Sequence, residues 1–569
     1  MIEQPPHTAL NPDSQTIIGP WHVTQSTRQC GIRKCARETL DELIVWQPWI
    51  GDTGGMTDTL TRPDVHSYEA PGVSGAPRLA GLPGVDRCDG LDERTIEAFY
   101  YDTDDLRLDR AGVSAARVLT HPESEWVLRL PADESGSVPA PLRVPHQDGD
   151  DPHTVPPTVL ALVRVHTRGR ELVPVVHTQT SRSVWRLLDW EGGQLGEIHG
   201  DAVSAQTLGS SATVDSWYLV TVSLAGPAER LLPAIEERLD DIGALPAPPR
   251  SVLRRLLGTA RVPVRKPRRP VTVGKKSSAG NVVLAAVTAH VAQLEGCDAA
   301  VRRDEPDSVH QMRVATRKLR STLRSFGKVL DRDATGDVAT ELRWLAGVLG
   351  EARDQEVIQE RVEACLAATP SEDVLGPLAA KLSQQFAREH TEAHARALAE
   401  LDTDRYYALL DALDALIADP PLTPLTGKRG RKALPPLVKR TTRKLDKAVA
   451  AVAEHPEGPE RATALHTVRK AAKRARYAAE LVAPLLGKDA TRSAKRFKAV
   501  QSLLGDHQDA VQTRRFLRIL GGRGHLAGQN GFTVGIWYEQ QAAAADDVDA
   551  AFDATWRRAA RRKHRRWMG

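Results

Sequence analysis

The sequence predicts an α+β chain of two parts: an N-terminal half of antiparallel strands, then an all-α half that is internally duplicated. Three observations carry this. The spacing of apolar residues changes near residue 280 from the alternation of strands to the three-and-four spacing of helices. Charge divides at the same place, since residues 1–250 hold 21 Lys and Arg against 36 Asp and Glu, while 281–569 hold 47 against 37. That division points to separate domains and to an anionic partner for the second. Finally, a motif that begins at His310 returns at His466, an offset of 156.

At 569 residues, 41% apolar and 26% charged, the chain can bury large cores in more than one domain. Its start, MIEQPPHTAL, lacks the basic-then-apolar order of a secretory signal, and no apolar run approaches the roughly 20 residues of a membrane span. The cytoplasm is the expected location. Among five cysteines the one close pair, Cys30 and Cys35 in CGIRKC, has no second pair or nearby histidine to complete a zinc site. Reduced thiols are expected there.

Residues 1–62 show no consistent period, so strand pairing and disorder both stay open. From 63 to 257 short β-rich runs alternate with turn residues: TIEAFYYDT, EWVLRLP, LVPVVHTQTSRSVWRLLDW and WYLVTVSLAG. The alternation of Val220, Val222 and Leu224 predicts half-buried strands. A helix, AERLLPAIEERLDDIGAL, closes this half at a glycine. The basic, proline-bearing stretch SVLRRLLGTARVPVRKPRRPVTVGKKSS then reads as a linker, with 258–280 set between the halves.

The second half, 281–560, divides into helical units at 281–417 and 432–560, followed by a basic tail at 561–569. In the first unit His310, Arg313, Arg317, Arg320 and Arg324 follow a three-four spacing along one helix face, and Met312, Thr316, Leu319, Leu323 and Phe326 form its core stripe. The second repeats both, with His466, Arg469, Lys473 and Arg476 opposite Val468, Ala472, Ala475, Ala479 and Val482. At an offset of 155, VLGEARDQ matches LLGDHQDA, pairing Gly350 with Gly505, Asp354 with Asp509 and Arg343 with Lys498. Like charges stacked along a helix cost on the order of 0.2–0.5 kcal/mol per pair. Such repulsion in both copies is easier to understand if a bound anion offsets it. Asp354 and Asp509 can neutralise one or two positions per repeat, but not a whole stripe.

If the two units pack about a pseudo-two-fold axis, the stripes face a shared groove, fed also by Lys439, Arg440, Arg443, Lys444 and Lys447 and by Arg492, Lys495, Arg496 and Lys498. Guanidinium groups grip phosphoryl oxygens in a bidentate way and lysines act as point charges. A repeating polyanion satisfies them together. HQMRVATRKLRS, HTVRKAAKRARYAAE and the paired LGEARD and LGDHQD resemble the CHAD domain, the conserved-histidine α-helical domain, through GFTVGIWYEQQ to about residue 560. The resemblance implies a pair of four-helix bundles whose basic groove binds inorganic polyphosphate. His310 and His466 have no carboxylate or histidine at i+3 or i+4, so no metal is expected at either.

CHAD domains often follow a CYTH domain, a triphosphate tunnel of antiparallel strands closed into a β-barrel, whose lumen holds metal with glutamates and triphosphate with arginines and lysines. APRLAGLPGVDRCDGLDERTIEAFYYDTDDLRLDRAGVS, LVRVHTRGRELVPVV and SVWRLLDWEGGQLGEI resemble that framework. The functional positions do not follow. The family's ExExK strand falls on Pro63, Val65 and Ser67, its arginine pair on Ala116 and Val118 with Arg117 on the other face, its later acidic strand on Leu219, Thr221 and Ser223, and its lysine on Val252. Arg129, Arg182, Arg186 and Glu197 survive. The expectation is therefore a cytoplasmic polyphosphate-binding protein, associated with polyphosphate granules, with an inactive tunnel domain, no catalytic residues and no cofactor; a protein partner for the barrel is unknown. The competing readings are a metal-dependent triphosphatase or polyphosphatase and a nucleic-acid binder, the latter encouraged by RRAARRKHRRW but opposed by stripes without interleaved aromatics.

Overall fold

A computed structural model describes residues 64–71, 81–120, 123–131, 140–145, 154–209, 212–224, 226–247, 251–261, 272–455 and 458–569. Residues 1–62, Cys30, Cys35 and Pro63 lie outside them, as does 262–271 of the basic stretch.

The first half is one antiparallel sheet. Its strands are β1 (Asp64–Pro71), β2 (Arg87–Asp102), β3 (Ser114–Thr120), β4 (Glu123–Arg129), β5 (Leu142–Pro145), β6 (Val173–Leu188), β7 (Gln194–Thr207), β8 (Val214–Leu224) and β9 (Leu245–Pro246), in the order β5-β4-β3-β2-β6-β7-β8-β1-β9. The expected runs fall in β2, β4, β6 and β8. Among the described residues β5 and β9 do not pair, so the sheet is open where the resemblance implied a closed barrel. Both end strands are short and finish at a proline, which has no N–H to extend a ladder. Close packing sets one glycine: a Cβ on Gly200 would lie 2.1 Å from the Tyr218 hydroxyl and 2.8 Å from the Trp185 ring.

Helices α1 (Arg107–Ala111), α2 (Pro157–Thr167), α3 (Leu232–Asp240) and α4 (Val252–Arg261) cover the sheet. The expected closing helix is α3, entered through a short 3₁₀ turn. Its Ile235 and Leu239 pack on Val220, Val222 and Leu224. Strand β8 is not half-buried as expected, because α4 sets Val252, Leu253 and Leu256 against Trp217 and Leu219 on the opposite face. This also corrects the linker reading. SVLRRLLGTAR is an amphipathic helix docked by its apolar stripe, with Arg254 bonded to Asp109 at 2.9 Å and Arg255 paired with Asp215 at 2.7 Å and with Glu69.

The second half comprises α5 (Ala279–Arg302), α6 (Ser308–Ser325), α7 (Gly336–Ala368), α8 (Leu378–Leu401) and α9 (Asp404–Ala418), then α10 (Gly430–Ala433), α11 (Pro435–Val452), α12 (Gly458–Leu486), α13 (Lys488–Leu526) and α14 (Phe532–Ala559). The first unit thus carries a fifth helix, α9, beyond the four the resemblance implied. Thr403 starts it, its hydroxyl accepting from the Tyr406 N–H as an N-cap. Both core stripes are buried as expected, from Met312 to Phe326 and from Val468 to Val482. They belong to one continuous apolar core that runs through both units. Helix α6 meets α12 and α7 meets α13, so these two helices of each unit pack on their own counterparts, as expected about a pseudo-two-fold axis.

Charge joins the two halves. Helix α2 lies on α5, and Arg168, in the left-handed conformation that ends α2, reaches Glu295 at 3.1 Å and Asp414 at 3.2 Å. Arg164 pairs with Asp402 at 2.6 Å.

Candidate functional site

The cationic stripes lie on α6 and α12, and the contact between these helices brings them together. In each copy the first arginine lies over a glycine to reach an aspartate on the following helix. Arg313 pairs with Asp354 at 3.0 Å, and Arg469 approaches Asp509 at 3.7 Å. A Cβ on Gly350 would stand 3.4 Å from the Arg313 guanidinium, and one on Gly505 would stand 3.7 Å from that of Arg469. The glycine-to-aspartate spacing of LGEARD and LGDHQD is therefore a seat for an arginine.

Beyond these pairs the cations face one another. Arg317 on α6 is half-buried with Arg313, Arg469 and Arg476 around it, and burial first, then those charges, lowers its pKa. Lys473 on α12 is pushed down to about 7 by burial, then by Arg469, Arg317 and Arg313, with Asp509 opposing. His310 and His466 are also held below the usual histidine range, chiefly by burial, the first by Arg353 and the second by Lys470 in addition. The Nε of Arg317, the Nε of Arg469 and the Nδ1 of both histidines are buried without a hydrogen-bond partner. Buried donors without acceptors cost about 1–3 kcal/mol each. Oxygen-rich anions would satisfy them.

A second knot lies further along the same helices. Arg320, with Arg343 and Arg324 beside it, and Arg474, with Arg324 and Arg320, are each lowered by burial first and then by these neighbours. Lys444 on α11 adjoins Arg440, Arg474, Arg324 and Arg332. Among the described residues none of Arg317, Arg320, Arg324, Arg343, Arg440, Arg474 or Lys473 has a carboxylate at ion-pair distance.

Not every expected residue is left as a free cation against the stripes. Arg476 stands near Arg317 but is itself bound to Glu480 at 2.6 Å and to Gln501 at 3.3 Å. Lys439 turns away and donates to the Gly569 carbonyl. Arg443, Lys495 and Lys498 are exposed, and nothing places them against the stripes. Lys444 is where the sequence placed it, whereas Arg474 and Arg332 were missed, as was Arg353, which stands by His310 but is held by Glu356 and Glu360. Arg474 stands next to Lys473 but off the three-four spacing, so only the approach of α6 reveals it.

If the two aspartates compete with an anion for the arginines, then Asp354→Asn with Asp509→Asn strengthens polyanion binding. The pairs are partly exposed, which limits each to about 0–1 kcal/mol. A gain of up to about fivefold per site is expected by calorimetry; weaker binding would show that the aspartates position the arginines instead.

The sheet gives a second set of residues to place. Strand register puts Val65, Ser67, Ala116, Val118, Arg129, Arg182, Arg186, Glu197, Leu219, Thr221 and Ser223 on one face, and Arg117 on the other. Val252 packs against that face from α4. Two of the surviving arginines face acids within the sheet. Arg182 makes a buried, bidentate pair with Asp201 at 2.7 and 2.8 Å. Glu197 lies 3.6 Å from Arg186 and 3.4 Å from the His199 Nε2. Among the described residues no group of three or more His, Cys, Asp or Glu is placed to hold a metal ion. Nor is any helix among them long and apolar enough to cross a membrane.

Comparison with known proteins adds the following. The CHAD domain family model matches residues 285–518. Two uncharacterized proteins of Mycobacterium tuberculosis are each 33% identical over 498 residues, covering 85% of this chain and 93% of the relative. Among solved structures, the CHAD domain from the plant Ricinus communis is 25% identical, with a TM-score of 0.41, over 51% of this chain and 94% of that one. PptA from Streptomyces chartreusis is 21% identical, with a TM-score of 0.41, over 49% and 100%. A Hippeastrum protein described as a putative adenylyl cyclase with a dominant triphosphatase activity is 12% identical, with a TM-score of 0.21, over 34% and 94%.

Proposed function

We propose that this chain, which belongs to the family of the two mycobacterial proteins and carries a CHAD domain at 285–518, binds inorganic polyphosphate in the groove between α6 and α12. The observation that carries the reading is the meeting of the two stripes: Arg317 and Lys473 each stand among cations of the other copy, and buried guanidinium nitrogens lack acceptors. His310, Arg313, Arg317, Arg320, Arg324, Arg343, Arg440, Lys444, His466, Arg469 and Lys473 line it, with Arg474 added. A linear polyanion carries one charge per repeating unit along its whole length, which suits cations spread along two helices better than a compact anion does. In the same reading the sheet domain is a tunnel fold without activity, because Arg182 and Arg186 already face Asp201 and Glu197 and the family's other charged positions carry uncharged residues.

The test is a titration with long-chain polyphosphate, tripolyphosphate and duplex DNA at several salt concentrations, with phosphate release followed in Mg²⁺ and Mn²⁺. Tight polyphosphate binding with a steep salt dependence and no phosphate release is expected. DNA binding of equal strength would overturn the ligand, and metal-dependent release would restore the tunnel as an enzyme.

A further inference from the structure

The basic C-terminal segment, read from sequence as a tail, is held against the helical domain. After α14 the chain makes two 3₁₀ turns, Arg562–His564 and Arg566–Met568. Met568 is buried. The Trp567 indole donates to the Ser493 hydroxyl at 2.9 Å, and Arg565 pairs with Asp446 at 2.7 Å while stacking over Trp556. The aromatic and apolar residues of the segment face inward as anchors.

Its remaining bases face outward and meet others. His564 stands among Arg496 and Arg492 from the start of α13 and Lys563 and Arg561 of its own segment. Arg561, Arg562, Lys563 and Arg566 are exposed, and among the described residues none of them has a carboxylate at ion-pair distance. Two basic segments are thus pinned side by side against their own repulsion. Helix α11 connects this patch to the groove: Lys444 sits with Arg440, Arg324 and Arg474, whereas Lys439 and Asp446 of the same helix hold the C-terminal segment.

We propose that this patch is a second polyanion-binding surface, reached from the groove across α11, and that it makes the protein selective for long polyphosphate chains over short ones. The inference rests on the groove reading. A chain long enough to leave the groove gains the second surface at high effective concentration, whereas a short one occupies the groove alone. With Trp556 and Trp567 committed to packing, the patch offers charge without a platform for stacking bases, which favours an inorganic chain over a single-stranded nucleic acid.

The experiment compares full-length wild type, the exposed-site variant Arg561→Gln/Arg562→Gln/Lys563→Gln and the groove variant Arg313→Glu/Arg469→Glu, each with long-chain polyphosphate, tripolyphosphate and single-stranded DNA. In the tail variant the long-chain salt slope should fall by about 2–3, with affinity at least about tenfold weaker, and tripolyphosphate binding unchanged. The groove variant should lose both. Unchanged long-chain affinity in the tail variant overturns the second surface and leaves the groove standing. Equal loss of long and short chains overturns the length selectivity. Loss of DNA binding alone reassigns the patch to nucleic acid, and failure of wild type to bind either polyphosphate removes the groove reading and this inference with it.

Discussion

Arg313→Glu combined with Arg469→Glu should abolish polyphosphate binding, with affinity at least about a hundredfold weaker at moderate salt. Each substitution removes a cation from the meeting point of the stripes and sets a carboxylate beside Asp354 or Asp509, so phosphate meets two acids where it had met an ion pair. Like charges brought together in this way cost several kcal/mol. The fold should tolerate the change, since both side chains lie over a glycine of the following helix and neither belongs to the apolar core. Helical circular dichroism reports that directly. Should the double glutamate variant be destabilised, Arg313→Gln with Arg469→Gln removes the charges without adding acids and still weakens binding. Undiminished affinity in either folded variant would move the ligand elsewhere.

The duplication was legible because it is written in residue types that have few other reasons to recur. A histidine followed by arginines at three-four spacing marks a helix face whichever way the bundle packs, and the core stripes on the other side were equally plain. What one sequence could not supply was the partner of each face. Arg474 belongs to the groove because α6 packs on α12 and brings Arg320 and Arg324 beside it, and no spacing within one helix encodes that. Lys439 shows the converse: adjacent to Arg440 in sequence, it lies roughly 100° around the helix and meets the chain terminus instead.

In the sheet the reasoning worked by parity. Side chains alternate faces along a strand, so one correct registration placed Val65, Ser67, Thr221, Ser223, Arg182 and Glu197 together and Arg117 apart. Closure of the sheet depends instead on how its end strands meet, which β5 and the two-residue β9 do not encode by period. The basic stretch after Pro249 misled for another reason. Its prolines begin after Arg261, and the ten residues before them form a helix whose apolar face, not its arginines, decides where it sits.

Lys473 should make polyphosphate binding weaken as pH rises above neutrality, where an ordinary surface lysine is silent. In the free protein burial and three arginines hold its pKa at about 7, so above that value the amine is largely neutral. The groups facing it are Arg313 and Arg317 from α6, Arg469 on its own helix and Asp509 from α13. A phosphate oxygen in the groove stabilises the ammonium form and raises the pKa again, so the bound state holds more protons than the free state between the two values. By linkage, binding takes up a proton in that window and affinity falls as pH rises above 7, by up to about tenfold per pH unit until the bound pKa is reached. Below 7 both states are protonated and this group contributes no slope. Calorimetry in buffers of different ionisation enthalpy should detect the proton taken up at pH 8, with long chains used so that terminal phosphates are few. Lys473→Arg keeps the charge at every accessible pH and should flatten the profile while preserving affinity at pH 6. An unchanged slope in that variant would assign the titration to other groups and place Lys473 outside the phosphate's reach.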